Sequence, residues 1–440
     1  MRRIALLFIA AASAAHARPR YGGSLVVEMR AAPRALDPLA AETLDAQRVP
    51  MLLFDRMVEI DEAGAAKPGL ALSWTSDAGR RRWQFAARPG VRTHDGNPLT
   101  VGQIAASLTV SLPGRTVTAA GDSVVVQSAR PMPALLEELA HARASIVVRL
   151  ANGTLQGSGP FRAVEWEPSR KLVAAAFDGY WGGRPFLDSV EIRFGVPLRD
   201  QLADFEAGKA DAIEATPAEF RRQELRGRRV WAGAMADLIA LVHLRGRPAV
   251  QDPRTRQALA LSVDRGPILS VLLQKQGEAA GSLLPSWLTG YGFVFSSQRD
   301  LAKARETGAG QPAVAIGHDP ADWVLQSIAE RIALNAREAG LPVKLATGAE
   351  ADAILVRMGA TSASAARTLA DYCRVLQTQT PEASSPDALY AAERRLLDGY
   401  WIVPLFHTPP LWAVQPRVRN WVPAGRVHWR IEEVWLEAAR

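Results

Sequence analysis

The chain has 440 residues, 48% of them hydrophobic, and a formal net charge of +7 from 52 Lys and Arg against 45 Asp and Glu. Its lone cysteine, Cys373, excludes an internal disulfide, so the fold must rest on buried cores, and a chain of this length can build several. The basic excess is arginine interleaved with acid, as in Arg221-Arg222-Gln223-Glu224 and Glu393-Arg394-Arg395. Nucleic-acid binders gather such charge into a stripe, so nucleic acid is not an expected partner.

Arg2 and Arg3 precede an apolar run, Ile4 to Ala12, and Ala15-His16-Ala17 then offers small residues where a signal peptidase reads. The run is shorter than the roughly 18 residues a membrane span needs. Residues 1–17 are therefore predicted to be a cleaved signal peptide, and the absence of a cysteine after the run predicts a soluble periplasmic protein rather than a lipoprotein.

Ser24 to Met29 reads as a strand ended by Pro33 and the Leu36-Asp37-Pro38 turn. A helix carrying Val49, Leu52, Leu53 and Met57 is predicted next, then a strand over Arg82 to Ala86 and a helix starting at Leu99-Thr100 and running through Ile104 and Leu108. Short strands at Val124 to Val126 and Ile146 to Val148 flank an apolar helix, Ala134 to Leu139. Paired strands follow at Phe161 to Trp166 and Leu172 to Phe177, then a strand through Val190, Ile192 and Phe194 and a helix ending at Gly208. Strand and helix alternating in this way predict an α/β lobe. Asp252 caps a helix begun by Pro253, with Ala258, Leu259 and Leu261 inward. Val324, Ile328 and Ile332 mark a helix stopped by Gly340, and Ser385-Pro386 starts another with Leu389, Ala392, Leu396 and Leu397 inward.

The motifs that suggest chemistry read better as structure. Gly157-Ser158-Gly159-Pro160 lacks the spacing of a nucleophile elbow and is predicted to be a tight hinge crossing that uses glycine's backbone freedom. His94-Asp95 falls in a turn with Gly96 and Pro98. The histidines lack metal-site spacing, no phosphate loop is present, and the neighbouring pairs Glu137-Glu138 and Glu432-Glu433 are predicted on solvated faces. No catalytic residue, metal or cofactor is expected, and Cys373 is expected to be a small part-buried side chain.

Taken in order, several segments resemble the extracytoplasmic solute-binding proteins, family 5, of oligopeptide, dipeptide and nickel ABC importers. They are Gly22-Gly23-Ser24-Leu25, Leu36-Asp37-Pro38, Pro68 to Trp74, Val91 to Thr100 and Gly157 to Phe161. Further along come Asp178-Gly179-Tyr180-Trp181-Gly182-Gly183, Ala207 to Asp211, Asp252 to Leu259 and Pro404-Leu405-Phe406-His407. The resemblance implies an α/β, two-lobed periplasmic-binding-protein fold of the type II, peptide-binding class, with an extra β-rich domain. It places 18–53, 161–235 and 411–440 in lobe I, 54–160 in the extra domain and 236–410 in lobe II.

It further implies a non-enzymatic monomer that traps a peptide or similar small solute between its lobes and docks on ABC permease subunits. The implied ligand-binding residues are Met29, Arg30, Ala31 and Ala32 at the end of the first strand, with Asp371 and Tyr372 from the second lobe. Asp371 is the expected counter-charge for a peptide's amino end, and Trp287, Trp401, His407 and Trp412 are aromatic candidates. Residues 108–157 and 348–385 are shorter than in typical relatives, which leaves a peptide, a metal chelate or another small solute open as ligand. The rivals are a sensor or chaperone on the same fold and a secreted hydrolase, for which no nucleophile, base and oxyanion set is recognisable.

Overall fold

The computed structural model describes residues 18–437 except 41–43, 62–63, 347, 361, 363, 381–382, 384 and 422–428, so the predicted leader and its expected cleavage point lie outside the described residues. The chain opens on β1 (Ser24–Glu28) and then builds a four-stranded sheet from β2 (Ala71–Ser76), β3 (Arg82–Ala87), β4 (Thr116–Ala120) and β5 (Ser123–Gln127). Phe85, Val124 and Val126 of this layer pack against Ile104 and Leu108 of helix α1 (Val101–Ser111). Thr100 and Gln103 close that helix's capping box, as a Thr-x-x-Gln start dictates.

β6 (Phe161–Glu167), β7 (Lys171–Ala176), β8 (Ser189–Arg193), β9 (Ala212–Glu214) and β10 (Arg229–Ala232) return the chain to β1. With a late strand, β17 (Leu411–Val414), they form one seven-stranded sheet in the order β6-β7-β8-β1-β9-β17-β10, with β1 parallel to β8 and β9. Leu25 and Val27 lie in its main core with Val190, Ile192, Trp412, Trp421 and Trp429, while Ile213 and Ala413 meet Phe205 and Ala210 on the other face. Burial on both faces explains the apolar runs of its central strands β1, β9 and β17, while the outer strands alternate or are exposed.

The second lobe's sheet comprises β11 (Asp237–His243), β12 (Glu278–Ala279), β13 (Val314–Gly317), β14 (Val343–Ala346), β15 (Ala353–Gly359) and β16 (Ile402–Thr408). Their order is β12-β16-β11-β15-β13-β14. Ile239 and Leu241 face helices α2 (Pro253–Ser262) and α3 (Trp323–Glu338). Leu238, Ala240 and Val242 face α4 (Ala365–Val375) and α5 (Pro386–Leu397). Asp252 caps α2 through the Arg254 amide and Ser385 caps α5 through that of Ala388.

Several local expectations change. The predicted helix around Val49 to Met57 stops at Leu53, and of residues 146–148 only Val148 is strand, continuing to Arg149. In α5 Leu396 is only half-buried, whereas Glu393 is fully buried and accepts the Leu283 and Leu284 amides and the Tyr291 hydroxyl. Glu137, Glu138, Glu432 and Glu433 are all half-buried, not on solvated faces. Cys373 is buried, and burial pushes its thiol up to about 11.

Two kinds of crossing hold the parts together. Between the seven-stranded sheet and the four-stranded layer, residues 157–160 run against Leu53 to Asp55. A Cβ on Gly157 would stand 1.9 Å from the Leu53 carbonyl oxygen, and one on Gly159 2.5 Å from its carbonyl carbon. Neither glycine has a positive φ. Close backbone approach, not the predicted backbone freedom, therefore demands glycine there. Asp55 staples the same junction, accepting Ser158 Oγ at 2.8 Å, Trp181 Nε1 at 2.9 Å and the Tyr180 hydroxyl at 3.3 Å. Between the two large sheets the chain passes through 233–236 and again through 409–410. The segments run side by side, Gly233 N donating to the Pro410 carbonyl at 2.9 Å.

Candidate functional site

A cleft opens beside that double crossing. On the first lobe, parallel strands β1 and β9 point their carboxyl ends into it, the usual place for ligands on parallel sheets. Arg30 follows β1 and Glu214 ends β9. Glu214 Oε2 accepts Arg30 N at 2.7 Å and Nε at 3.1 Å. The Glu214 amide donates to Oε1 of the fully buried Gln201, which fixes the strand end. Thr216, the next cleft residue but one, caps helix Pro217–Leu225 through the Glu219 amide.

Behind this wall stands a packed trio of indoles. Trp412 lies 5.6 Å from Trp421 and 5.3 Å from Trp429, centroid to centroid, and Arg48, only 2% exposed, sits 5.5 Å from the Trp429 ring. Burying a guanidinium this deeply requires partners, and a ring face supplies part of them.

On the second lobe Asp237 begins β11, Thr408 ends β16 directly opposite it, and Arg357 projects from β15. Arg357 Nε meets Asp322 Oδ2 at 3.0 Å, and its Nη1 lies 3.4 Å from Thr408 Oγ1. Asp322 also caps α3 through the Val324 and Leu325 amides. Burial pushes its carboxyl up, but Arg357, helped by Arg30 from the first lobe and the amides, outweighs it and holds the group below the usual carboxylate range. Arg30, Arg48 and Glu214 of the first lobe and Asp237, Arg357 and Thr408 of the second share one hollow of about 80 Å³. Facing guanidiniums and carboxylates equip it for charge-assisted hydrogen bonds to a polar solute.

Of the residues marked from sequence, Arg30 and Trp412 line this hollow. Met29 is fully buried in the first lobe's core, Ala32 packs on that core, and Ala31 is half-buried beside it. Trp287 donates its indole N–H to the Met235 carbonyl at 2.9 Å and packs on Met51, Ala142, Ala236 and Ala360, where the parts meet. Asp371 is 4% exposed, with Arg374 at 2.9 Å and Arg367 at 3.4 Å on its own helix. Across the interface His141 Nε2 lies 3.9 Å from its Oδ2. Tyr372 is core, its hydroxyl donating to the Met358 carbonyl.

Trp401 stands at the opposite end of β16, with Arg256 3.9 Å and Arg245 4.5 Å from its ring. His407 is buried against the Leu283 carbonyl. The sequence reading missed Arg48, Glu214, Asp237, Arg357 and Thr408. A usable signal existed for two of them, since Glu214 and Arg357 are charged residues in otherwise apolar strands, Ala212-Ile213-Glu214 and Ile354-Leu355-Val356-Arg357. Among the described residues no cluster of three or more His, Cys, Asp or Glu could hold a metal ion, and no helix is long and apolar enough to cross a membrane.

Two α/β lobes joined by adjacent crossings, with charged groups facing one another over the gap, define a two-lobed solute-binding fold. Residues 65–352 match the family of bacterial extracellular solute-binding proteins, family 5 Middle, and the chain belongs to that family of binding proteins. The oligopeptide-binding protein AppA of Bacillus subtilis (strain 168) is 22% identical over 292 residues, a match spanning 60% of this chain and about half, 54%, of AppA. The dipeptide-binding protein of Escherichia coli (strain K12) is 23% identical over 365 residues, 70% of this chain and 67% of that protein.

The structure of AppA in complex with a nonapeptide has a TM-score of 0.78 at 17% identity and covers 96% of this chain and 100% of that one. Staphylococcus aureus NikA in complex with Ni(L-His)2 has a TM-score of 0.79 at 15% identity, covering 94% and 100%. Likenesses at this identity show the fold alone.

Proposed function

We propose that this chain is the non-enzymatic, solute-capturing component of an ABC importer, exported with loss of residues 1–17 and acting as a periplasmic monomer that delivers its solute to membrane permease subunits. The observation that carries this reading is the cleft itself. Arg30 and Glu214 on one lobe face Asp237, Arg357 and Thr408 on the other, next to a crossing of only two chain segments. A solute touching both walls stabilises the closed arrangement because only that arrangement offers all its contacts. We divide the chain into lobe I (18–53, 161–235, 411–440), extra domain (54–160) and lobe II (236–410), a reading supported by the grouping of strands into sheets and by the side-by-side crossing segments.

The wall chemistry suits a zwitterion such as a short peptide, with guanidiniums for its carboxylate and carboxylates for its ammonium. Glu214 and Asp237 serve that second role better than Asp371 because they line the hollow between the lobes, whereas Asp371 is buried away from it beside two arginines of its own helix. The peptide ligands named for AppA and the dipeptide-binding protein point the same way. The test is to recover the protein by osmotic shock, sequence its amino end and identify co-purifying solutes by mass spectrometry. An amino end at Arg18 and a bound solute that compacts the protein in small-angle scattering are expected. A retained leader, or scattering unchanged at saturating solute, would sink the proposal.

A further inference from the structure

A second hollow, separate from the cleft, lies between the seven-stranded sheet and the four-stranded layer. We propose that it is a binding site for a small apolar molecule bearing one anionic group. Its volume of about 500 Å³ falls within the roughly 300–1,000 Å³ of small-molecule sites. Every lining residue lies between Arg34 and Trp166, so none comes from the second lobe.

The floor is apolar and incompletely covered. Leu36, Leu155 and Trp166 pack on the first lobe's core yet stay half-buried, their remaining surface turned to the hollow. Trp166 is held edge-on against Phe194, ring centroids 6.0 Å apart. It follows a register shift between Ala163 and Glu165 in β6, the sheet's edge strand, and such bulges re-aim side chains at the rims of sites.

The rim decides the charge of the ligand. The acids there are engaged: Asp37 Oδ2 accepts Arg149 at 2.8 Å, and Asp95 accepts the Thr93 hydroxyl and the Asn97 amide. His94 is committed to the Gly159 carbonyl at 3.1 Å. Burial first, and then the neighbouring Arg162, hold its imidazole down to about 4, so it stays neutral at pH 7. Arg34 and Arg162, both exposed and lining the hollow, make no ion pair or side-chain hydrogen bond among the described residues. Two unengaged guanidiniums over an aromatic and aliphatic floor match a carboxylate, sulfonate or phosphate on an apolar body. Because the second lobe takes no part, this site is filled whether the lobes are apart or together.

Fluorescence titration of the mature protein with anilinonaphthalene sulfonate, an apolar bicycle with one sulfonate, tests this. One saturable site is expected. Arg34→Ala with Arg162→Ala should weaken it at least tenfold, and Ala163→Trp, at an exposed strand position, should abolish it by filling the hollow. Arg357→Met, a change in the interlobe cleft, should leave it intact, and uncharged N-phenylnaphthylamine should bind at least tenfold more weakly. The proposal is overturned by absence of a saturable site, by full binding in Ala163→Trp, by loss in Arg357→Met, or by equal affinity for the uncharged probe. Circular dichroism of each variant separates unfolding from loss of the site, and none of these outcomes bears on whether the cleft binds a solute.

Discussion

The two walls of the cleft are held in place by different physics. On the first lobe Arg30 and Glu214 sit at the ends of adjacent parallel strands, and the strand next to Glu214 carries Trp412 into a trio of buried indoles. On the second lobe Arg357 owes its pose to Asp322 and to Thr408 at the end of a neighbouring strand. The first wall's ion pair stands on a packed indole backing, which has few alternative arrangements; the second rests on charge pairs that a solute can share or displace. Damage should therefore read out as lost stability in one wall and as lost affinity in the other.

The sharpest way to break this contrast is Trp412→Ala. Emptying the centre of the indole trio should cost about 3–5 kcal/mol in denaturant unfolding, the usual price of a buried tryptophan. A loss under about 1 kcal/mol would mean that the first wall is not packing-limited. Next in size, Arg357→Met should lower solute affinity at least tenfold, about 1.4 kcal/mol, while moving the unfolding midpoint little, because the side chain is 27% exposed. Calorimetry with the co-purified solute measures it, and unchanged affinity would remove Arg357 from the site.

The effect that is smallest near neutral pH concerns the contact of the extra layer with the second lobe. Burial, followed by Arg367, holds the His141 imidazole down to about 3, with Arg143 and Arg56 adding to this and Asp371 opposing it. Separation of the lobes would return it to about 6.5. A group depressed in the closed form favours closure above about pH 6.5 and opposes it below. Affinity should thus fall as pH drops from about 6.5 toward 4, by at most about tenfold per pH unit for one proton. His141→Gln should flatten that limb of the profile, and an identical slope in wild type and mutant would show that His141 stays buried when the solute leaves.

Residues close in sequence were legible because their interactions are local. The helix starts at Leu99-Thr100, Asp252-Pro253 and Ser385-Pro386, and the four-residue spacing of Val324, Ile328 and Ile332, all follow from chain geometry alone. The order of such segments also carried the family resemblance. Composition further pointed to cores without disulfides, and both lobes have them.

Roles that depend on distant partners were not legible. Glu393 reads as one more charge on a helix, yet it is buried because Leu283 and Leu284, over a hundred residues earlier, bring it their amides. Asp371 reads as an acid awaiting a ligand until its helix places two arginines and a histidine from another layer around it. Arg30 finds Glu214 184 residues away, and Gly157 is required by the carbonyl of Leu53, not by its own torsion angles. Periodicity and caps record which faces a segment buries and where it stops. Which charge meets which across a cleft depends on how sheets assembled from separated stretches of chain come to lie, and only the tertiary structure decides that.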